Sequence, residues 1–373
     1  MQITAFDIEP LLLPKDDPTW KFALGSNPVT EGVVLRIATK DAEGYGYASA
    51  TAHMGSISST LIAELEHFRS SVIGARADTI NVIMTSINRR LRGAPQAKAA
   101  VDCALHDLLA RLLGVPLSTL LGGPVRDRVP ILRILAIKSP EEMAAQALRL
   151  VESGYRYLKI KVHGEVDRDV ARVAAIRKAV GNDVHLTIDA NQSYSPKDAV
   201  TAILKMADYG IDLVEQPVHA ADLDGLSLVT RMVPVPVEAD EAAGSLAEIY
   251  ELVRNRRVDA VSLKIPKLGG IQNTLAAARL CETAGIRYRL GAAVGSRLLS
   301  GFAVHLACSL PGVDYACELG EFERLQGDTF TGLAIADGHL SLPSGTGVGV
   351  SHKPAGGGPT PDDDTNSLTL PIL

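Results

Sequence analysis

Short apolar runs recur along the last two thirds of the chain, and between them lie stretches whose apolar residues return every three or four positions. The runs are Val129–Ile137, Tyr157–Val162, His185–Ala190, Leu213–Pro217, Val235–Asp240, Ala260–Ile265, Arg287–Ala292 and Asp314–Leu319. Near-continuous runs of this length read as strands buried on both faces. The helical spacing falls on segments such as Pro140–Ser153, Asp167–Val180, Pro196–Tyr209, Leu246–Arg254 and Gly270–Ala284. Eight such units, one about every 25 to 30 residues, predict a closed parallel barrel with its site at the C-terminal ends of the strands. A doubly wound open sheet would favour a glycine-rich phosphate loop after the first strand, and none stands there. The later run Gly345–Val350 has no helix behind it and is read as structural.

The first part of the chain follows a different pattern. Met1–Leu13, Glu31–Thr39 and Gly44–Ala48 alternate as short antiparallel strands do, with Ala42-Glu43-Gly44 as a turn. Helical spacing then runs over Ser56–Arg92 and Pro95–Leu113, and Gly114-Val115-Pro116 stops it. The expected organisation is an α+β capping domain over residues 1–125 and a (β/α)8 barrel over 126–328. A segment at 329–352 returns to the capping domain. The Pro-, Gly- and Asp-rich residues 353–373 form a flexible tail.

Composition narrows the function classes. Among 373 residues the net charge is −6, with no basic run, which argues against a nucleic-acid protein. No apolar stretch reaches the roughly 18 residues of a membrane helix. The acidic N-terminus lacks the basic start of a signal peptide, so a cytoplasmic protein is expected. The four cysteines stand singly, as reduced core residues do.

The polar residues at the ends of the runs carry the chemistry. Lys159 and Lys161, two positions apart, project from one face of a strand. Inside a barrel mouth, each ammonium would disfavour the other's charge and burial would add to the effect, giving a base usable near neutral pH. Asp189, Glu215 and Asp240 end three consecutive strands at steps of about 25 residues. Three carboxylates brought to one end of a barrel call for a hard, oxygen-seeking divalent ion, Mg²⁺ or alternatively Mn²⁺. Lys264 ends the sixth strand, while Lys267 falls beyond Pro266 in the expected loop. Glu318 puts a further acid at the rim. The set suits a small carboxylate substrate held between lysines, with fixed positive charge stabilising an enediolate as an α-proton leaves.

These residues resemble the enolase superfamily, specifically its muconate lactonizing enzyme subgroup. The resemblance spans roughly residues 1 to 350. It rests on the helix signature Ala97–Gly123 and on the motifs Lys159-Ile160-Lys161, Asp189-Ala190-Asn191-Gln192, Glu215-Gln216-Pro217, Ala239-Asp240-Glu241 and Leu263–Gly270 in order. It implies that Asp189, Glu215 and Asp240 hold Mg²⁺, with Asn191 and Glu241 supporting them. It also implies that Lys161 and Lys264 work on opposite faces of the substrate, and that Lys159 lowers the pKa of Lys161. The seventh strand, Tyr288–Ala293, carries no histidine, which disfavours the mandelate racemase subgroup. Cys317-Glu318-Leu319 is similar to the motif of muconate and chloromuconate cycloisomerases, although Gly320-Glu321-Phe322 depart from it.

Cycloisomerisation of a muconate-like diacid is therefore the first expectation. A racemase or epimerase of an amino-acid derivative or dipeptide comes second, and an acid dehydratase third. A non-catalytic binding protein on this fold is disfavoured, since every catalytic position holds a competent side chain. Substrate contacts are expected from Glu318 and from Trp20, Lys21 and His53 in capping-domain loops; Lys21 is a candidate for a distal carboxylate, but the reading of it as a solvated surface lysine is favoured. His106 and His305 are read as helix residues. The resemblance also implies a homo-oligomer, from dimer to octamer.

Overall fold

Three long antiparallel strands, β1 (Ala5–Pro14), β2 (Val29–Ala38) and β3 (Glu43–Ala50), open a computed structural model that describes residues 1–353. Residues 354–373, which hold nearly all of the expected tail, lie outside the described residues. The strand order is β1-β2-β3, and the helices α1 (Ser58–Val72), α2 (Ile80–Arg90) and α3 (Pro95–Leu113) follow. The continuous helical spacing from Ser56 to Arg92 is broken in the structure. Residues 73–79 leave the helix because Ile3 and Met1 bond their backbone at Gly74, Ala75 and Ala77. The small residues of α3 let it lie directly on β3. A Cβ on Gly46 would stand 2.0 Å from the Ala100 carbonyl oxygen, so glycine alone fits there.

The barrel strands are β4 (Leu132–Leu135), β5 (Tyr157–Lys161), β6 (His185–Asp189), β7 (Leu213–Glu215), β8 (Val237–Ala239), β9 (Ala260–Lys264) and β10 (Arg287–Gly291). They pair in parallel and in sequence order. Residues 314–319 close the ring. Cys317 donates to Pro130 O and its carbonyl accepts from Leu132 N, while Glu318 N donates to Leu290 O and its carbonyl accepts from Ala292 N. The fold is thus an α/β barrel of eight parallel segments beneath an α+β cap.

The helices between strands are α4 (Pro140–Glu152), α5 (Val166–Val180), α6 (Pro196–Ala207), α7 (Leu223–Met232), α8 (Leu246–Arg254), α9 (Ile271–Ala284) and α10 (Arg297–Ser309). Ser139, Ser195 and Ser245 cap α4, α6 and α8, each accepting from the backbone N–H three residues on.

The strands of the C-terminal segment add to no edge of the β1–β3 sheet. Phe330–Thr331 pairs with Ser351–His352, and His339–Ser341 pairs with Arg128–Pro130 just before the barrel. The segment meets the cap through Asp107 on α3, whose carboxylate accepts from Val348 N and Tyr45 N. His305 on α10 joins the same region. Its Nδ1 accepts from Ser118 N and its Nε2–H donates to Val348 O, and burial lowers its pKa to about 4.

Candidate active site

The register of the barrel places the chemistry in one layer. Lys161 lies opposite Asp189, Asp189 opposite Glu215, and Glu215 opposite Glu238. Lys161 Nζ donates to Asp189 Oδ2 at 2.5 Å and to Asn191 Oδ1 at 2.8 Å. Lys159 Nζ lies 2.9 Å from Asp189 Oδ2, 2.7 Å from Glu215 Oε2 and in short contact with Glu318. Across the mouth, Lys264 Nζ donates to Asp240 Oδ2 at 2.7 Å. The Lys264 chain crosses the backbone of β10 at Gly291, where a Cβ would stand 2.8 Å from the lysine Cε. All of these groups are buried. The lysines Lys159, Lys161 and Lys264 line one cavity of about 720 Å³, together with Asn191, Asp240 and Glu318.

Non-glycine residues with left-handed backbone sit at three strand ends, namely Asn191, Gln216 and Ala293. Such strain persists where surrounding bonds impose it, and here they do. Gln216, fully buried, accepts through Oε1 from Asp240 N and Ala242 N and donates to Val218 O. It fixes the turn that carries Asp240 and Glu241.

The electrostatics correct one expectation. Burial alone would discharge Lys159, but Asp189, Glu215 and Glu318 outweigh it and raise its pKa well above the ordinary lysine value. Lys159 is a fixed cation. The paired ammoniums do not depress it, because carboxylates surround it on three sides. Burial is likewise overcome at Asp189, held below the usual carboxylate range by Lys159 and Lys161, and at Asp240, by Lys264 and Lys267. Glu318, buried beside Lys159 and Lys264, is brought down to about 2. Glu215 goes the other way: burial and Asp189 push it up to about 8 despite Lys159 and Arg289. Burial with Asp240 and Asp189 also raises Glu241.

A divalent ion fits this imbalance. The site gathers six acids (Asp189, Glu215, Glu238, Asp240, Glu241 and Glu318) against five bases (Lys159, Lys161, Lys264, Lys267 and Arg289). Among the described residues Glu241 Oε2 is buried with no hydrogen-bond partner, and burial with Asp189 raises the pKa of Glu215. The donors are all oxygen, which suits Mg²⁺ or Mn²⁺. With the lysines drawn onto Asp189 and Asp240, no three acids share one ion-sized position among the described residues. The fit therefore lies in donor type and charge.

Several expected contacts move. Trp20 is buried against Leu132, Ile134, Ala136 and Ala316 and faces the cavity, its ring tilted 40° to that of Phe22 at 5.5 Å. Lys21 is exposed and outside the cavity wall, because its two-residue hairpin strand turns it to solvent. His53 sits in a short 3-10 turn at Ala52–Met54, and its side chain is outside the described residues. His106 Nδ1–H donates to Asp102 O on its own helix.

Other groups enter that the sequence reading passed over. Lys267 does not lie in a loop. Ile265–Leu268 forms a helical turn that folds Lys267 back, and its Nζ donates to Asp240 Oδ1 at 2.5 Å, Asp240 O at 2.6 Å and Ser262 O at 3.0 Å. Arg289 on β10 donates to Glu238 at 3.0 Å through Nε and is in short contact with Glu215. Both Arg289 and Glu238 stand two positions before a site position on their strand, so period-two alternation was the available signal.

Known proteins are similar to this chain in sequence and fold. Residues 11–122 match the N-terminal domain of mandelate racemase and muconate lactonizing enzyme, and residues 142–355 match the enolase C-terminal domain-like family. A hydrophobic dipeptide epimerase of Enterococcus faecalis is 36% identical over 90% of this chain and 95% of its own length. A chloromuconate cycloisomerase of Cupriavidus necator is 36% identical over 75% of this chain and 76% of its own. The structure of the dipeptide epimerase from E. faecalis V583 complexed with Mg and the dipeptide L-Leu-L-Tyr superimposes with a TM-score of 0.91. It has 34% identity and covers 94% of this chain and 100% of that one. A barrel with these strand-end acids and lysines, under a cap of matching sequence, identifies the chain as a member of the enolase superfamily with both domains of the mandelate racemase and muconate lactonizing enzyme family.

Proposed function

We propose that the protein is an isomerase that moves a proton on and off the carbon α to a carboxylate, inverting an amino-acid derivative. The observation that carries this reading is the placement of Lys161 and Lys264. They end β5 and β9, which stand four places apart in a ring of eight and so face each other across the mouth. Inversion needs an acid and a base on opposite faces of one carbon, and the two lysines provide them.

In this mechanism Asp189, Glu215 and Asp240 would hold a divalent ion, which would supply positive charge against the substrate carboxylate. Lys159, kept charged by its three acids, adds a fixed cation that needs no reorganisation as the enediolate forms. Lys161 withdraws the proton on one face and Lys264 delivers one on the other, with the roles exchanged for the opposite antipode. Asn191 and Glu241 orient Lys161 and the turn beside Asp240.

The test is incubation with Mg²⁺ in D₂O. Loss of the α-proton signal from both antipodes of an N-acylated amino acid or a dipeptide, followed by ¹H NMR, supports the reading. Lactone formed from cis,cis-muconate with no α-exchange in any amino-acid derivative overturns it. Cycloisomerisation of a muconate-like diacid stands as the second reading, on one observation. Glu318 is already engaged by Lys159 and held ionised, which leaves it poorly placed to hold a free α-ammonium group.

A further inference from the structure

The cap side of the cavity is apolar or neutral except at one place. Trp20, Phe22, Leu24, Thr30, Thr51 and Met54 contribute no charge, and Lys15 is the one ionisable side chain that the cap brings to the wall among the described residues. Its ammonium donates to the Asn27 carbonyl at 2.5 Å and sits 4.8 Å above the Trp20 ring. Among the described residues no carboxylate lies within 4.0 Å of it. The acid that acts on it, Glu321, is paired with Arg324 at 2.9 Å and lies 3.8 Å from Arg133. An ammonium has three donors, and one is used here.

The Lys15 charge gains a bond to the Asn27 carbonyl and the face of Trp20, but among the described residues no carboxylate within 4.0 Å offsets the burial that lowers its pKa. The four lysines below it are each spoken for by Asp189, Glu215, Asp240 or Glu318. Among the described residues Lys15 bonds to a carbonyl and lies over a ring face, and it borders the open cavity.

We propose that Lys15 receives a second, distal carboxylate of the substrate, so that the enzyme acts on molecules bearing one carboxylate at the reacting carbon and another at the far end. The proposal builds on the reading of the mouth as a carboxylate site but not on which reaction follows. Three sources share the chemistry: an N-acyl amino acid whose acyl chain ends in a carboxylate, a dipeptide with an acidic side chain, and an unsaturated diacid.

Binding is the primary test. Glutarate, adipate and suberate are titrated calorimetrically into the Mg²⁺-supplemented protein, each beside the monocarboxylate of equal chain length. At least one diacid should bind about tenfold to a hundredfold more tightly than its partner, the range for a hydrogen bond between charged groups. Lys15→Met should bring that ratio to within about twofold, while Lys15→Arg retains it. Equal binding of mono- and dicarboxylates at every length by the unaltered protein overturns the proposal, whatever the variants do. So does a ratio that Lys15→Met leaves unchanged. Turnover then separates the sources: N-succinyl against N-butyryl amino acids, acidic dipeptides against their amides, and cis,cis-muconate. Lys15-dependent diacid binding without any α-exchange would sink the racemase reading and leave the distal-anion site standing.

Discussion

On the β5–β6 side of the mouth Asp189 receives two lysines, Lys159 and Lys161, and on the β8–β9 side Asp240 receives two more, Lys264 and Lys267. In each pair one lysine is anchored and the other is lightly held. Lys159 is anchored by charge, among Asp189, Glu215 and Glu318. Lys267 is anchored by geometry, through the carbonyls of Asp240 and Ser262 as well as the Asp240 carboxylate. Lys161 and Lys264 keep one acid each and face the cavity, so either can turn from its acid to a substrate carbon. On the proposed reading the two sides would perform matching proton transfers with supports of different kind, and that difference can be measured.

The largest effect should come from the lightly held pair. Lys161→Ala and Lys264→Ala are each expected to lose about 10²–10⁴-fold in overall inversion. Each should retain α-exchange with one antipode only, and with opposite choices. Deuterium incorporation from separate L and D substrates reads this directly. Loss of both exchanges in both variants would break the two-sided picture.

Lys159→Met tests the charge-anchored support. It leaves three buried acids without their shared cation, and removing one partner of a buried ion pair costs about 3–5 kcal/mol. A lower midpoint of urea unfolding, measured without added metal, is the expected result. Added Mg²⁺ should restore part of the loss if the acids can share that ion instead. An unchanged midpoint would mean that the acids had found other partners.

Gly291→Ala is specific to the opposite side. The new Cβ meets Lys264 Cε and Cγ at 2.8 and 3.0 Å, and the lysine end must shift. Displacing a reacting group by about 1 Å can cost up to 10²-fold, so exchange with the Lys264 antipode should fall about tenfold or more while the other is spared. Equal loss on both faces would mean that the strand had moved rather than the lysine.

Which of these parts could be read from the sequence follows from how local their causes are. The acids at 189, 215 and 240 were legible because a strand end recurs at a nearly constant step, and strand ends are where a barrel gathers its site. Arg289 follows from the alternation along its strand, two positions before Gly291. Lys267 was misplaced because Pro266 reads as a stop, whereas proline also opens a helical turn, as it does at Ile265–Leu268. Lys15 against Lys21 could not be decided locally. Which lysine faces the cavity depends on how β1 and a two-residue hairpin lie against Ile134 and Ala316, a tertiary fact. The break in the helical run at Gly74 has the same origin, since its cause is a strand about 70 residues earlier.

The smallest effect should be that of Lys267→Met, and it bears on the comparison most closely. Lys267 also borders the cavity, and its Nζ bonds to Asp240 and Ser262 on its own side of the mouth. Its work is to hold the Asp240 carboxylate and to tie the end of β8 to β9. Without it, Lys264 becomes the sole lysine on Asp240 and is held there more tightly. Two consequences follow for a positioning residue. Affinity for the divalent ion should fall about tenfold, at the low end for losing a group that orients a ligand, as read by electron paramagnetic resonance titration with Mn²⁺. At saturating metal, exchange with the Lys264 antipode should remain slower than in the unaltered protein, while the Lys161 antipode recovers. Lys267→Arg should restore metal affinity better than Met does. If saturating metal instead restored both antipodes equally, Lys267 would serve the ion alone. The mouth would then have one anchored lysine that tunes proton transfer, Lys159, and the likeness of its two sides would end at the carboxylates.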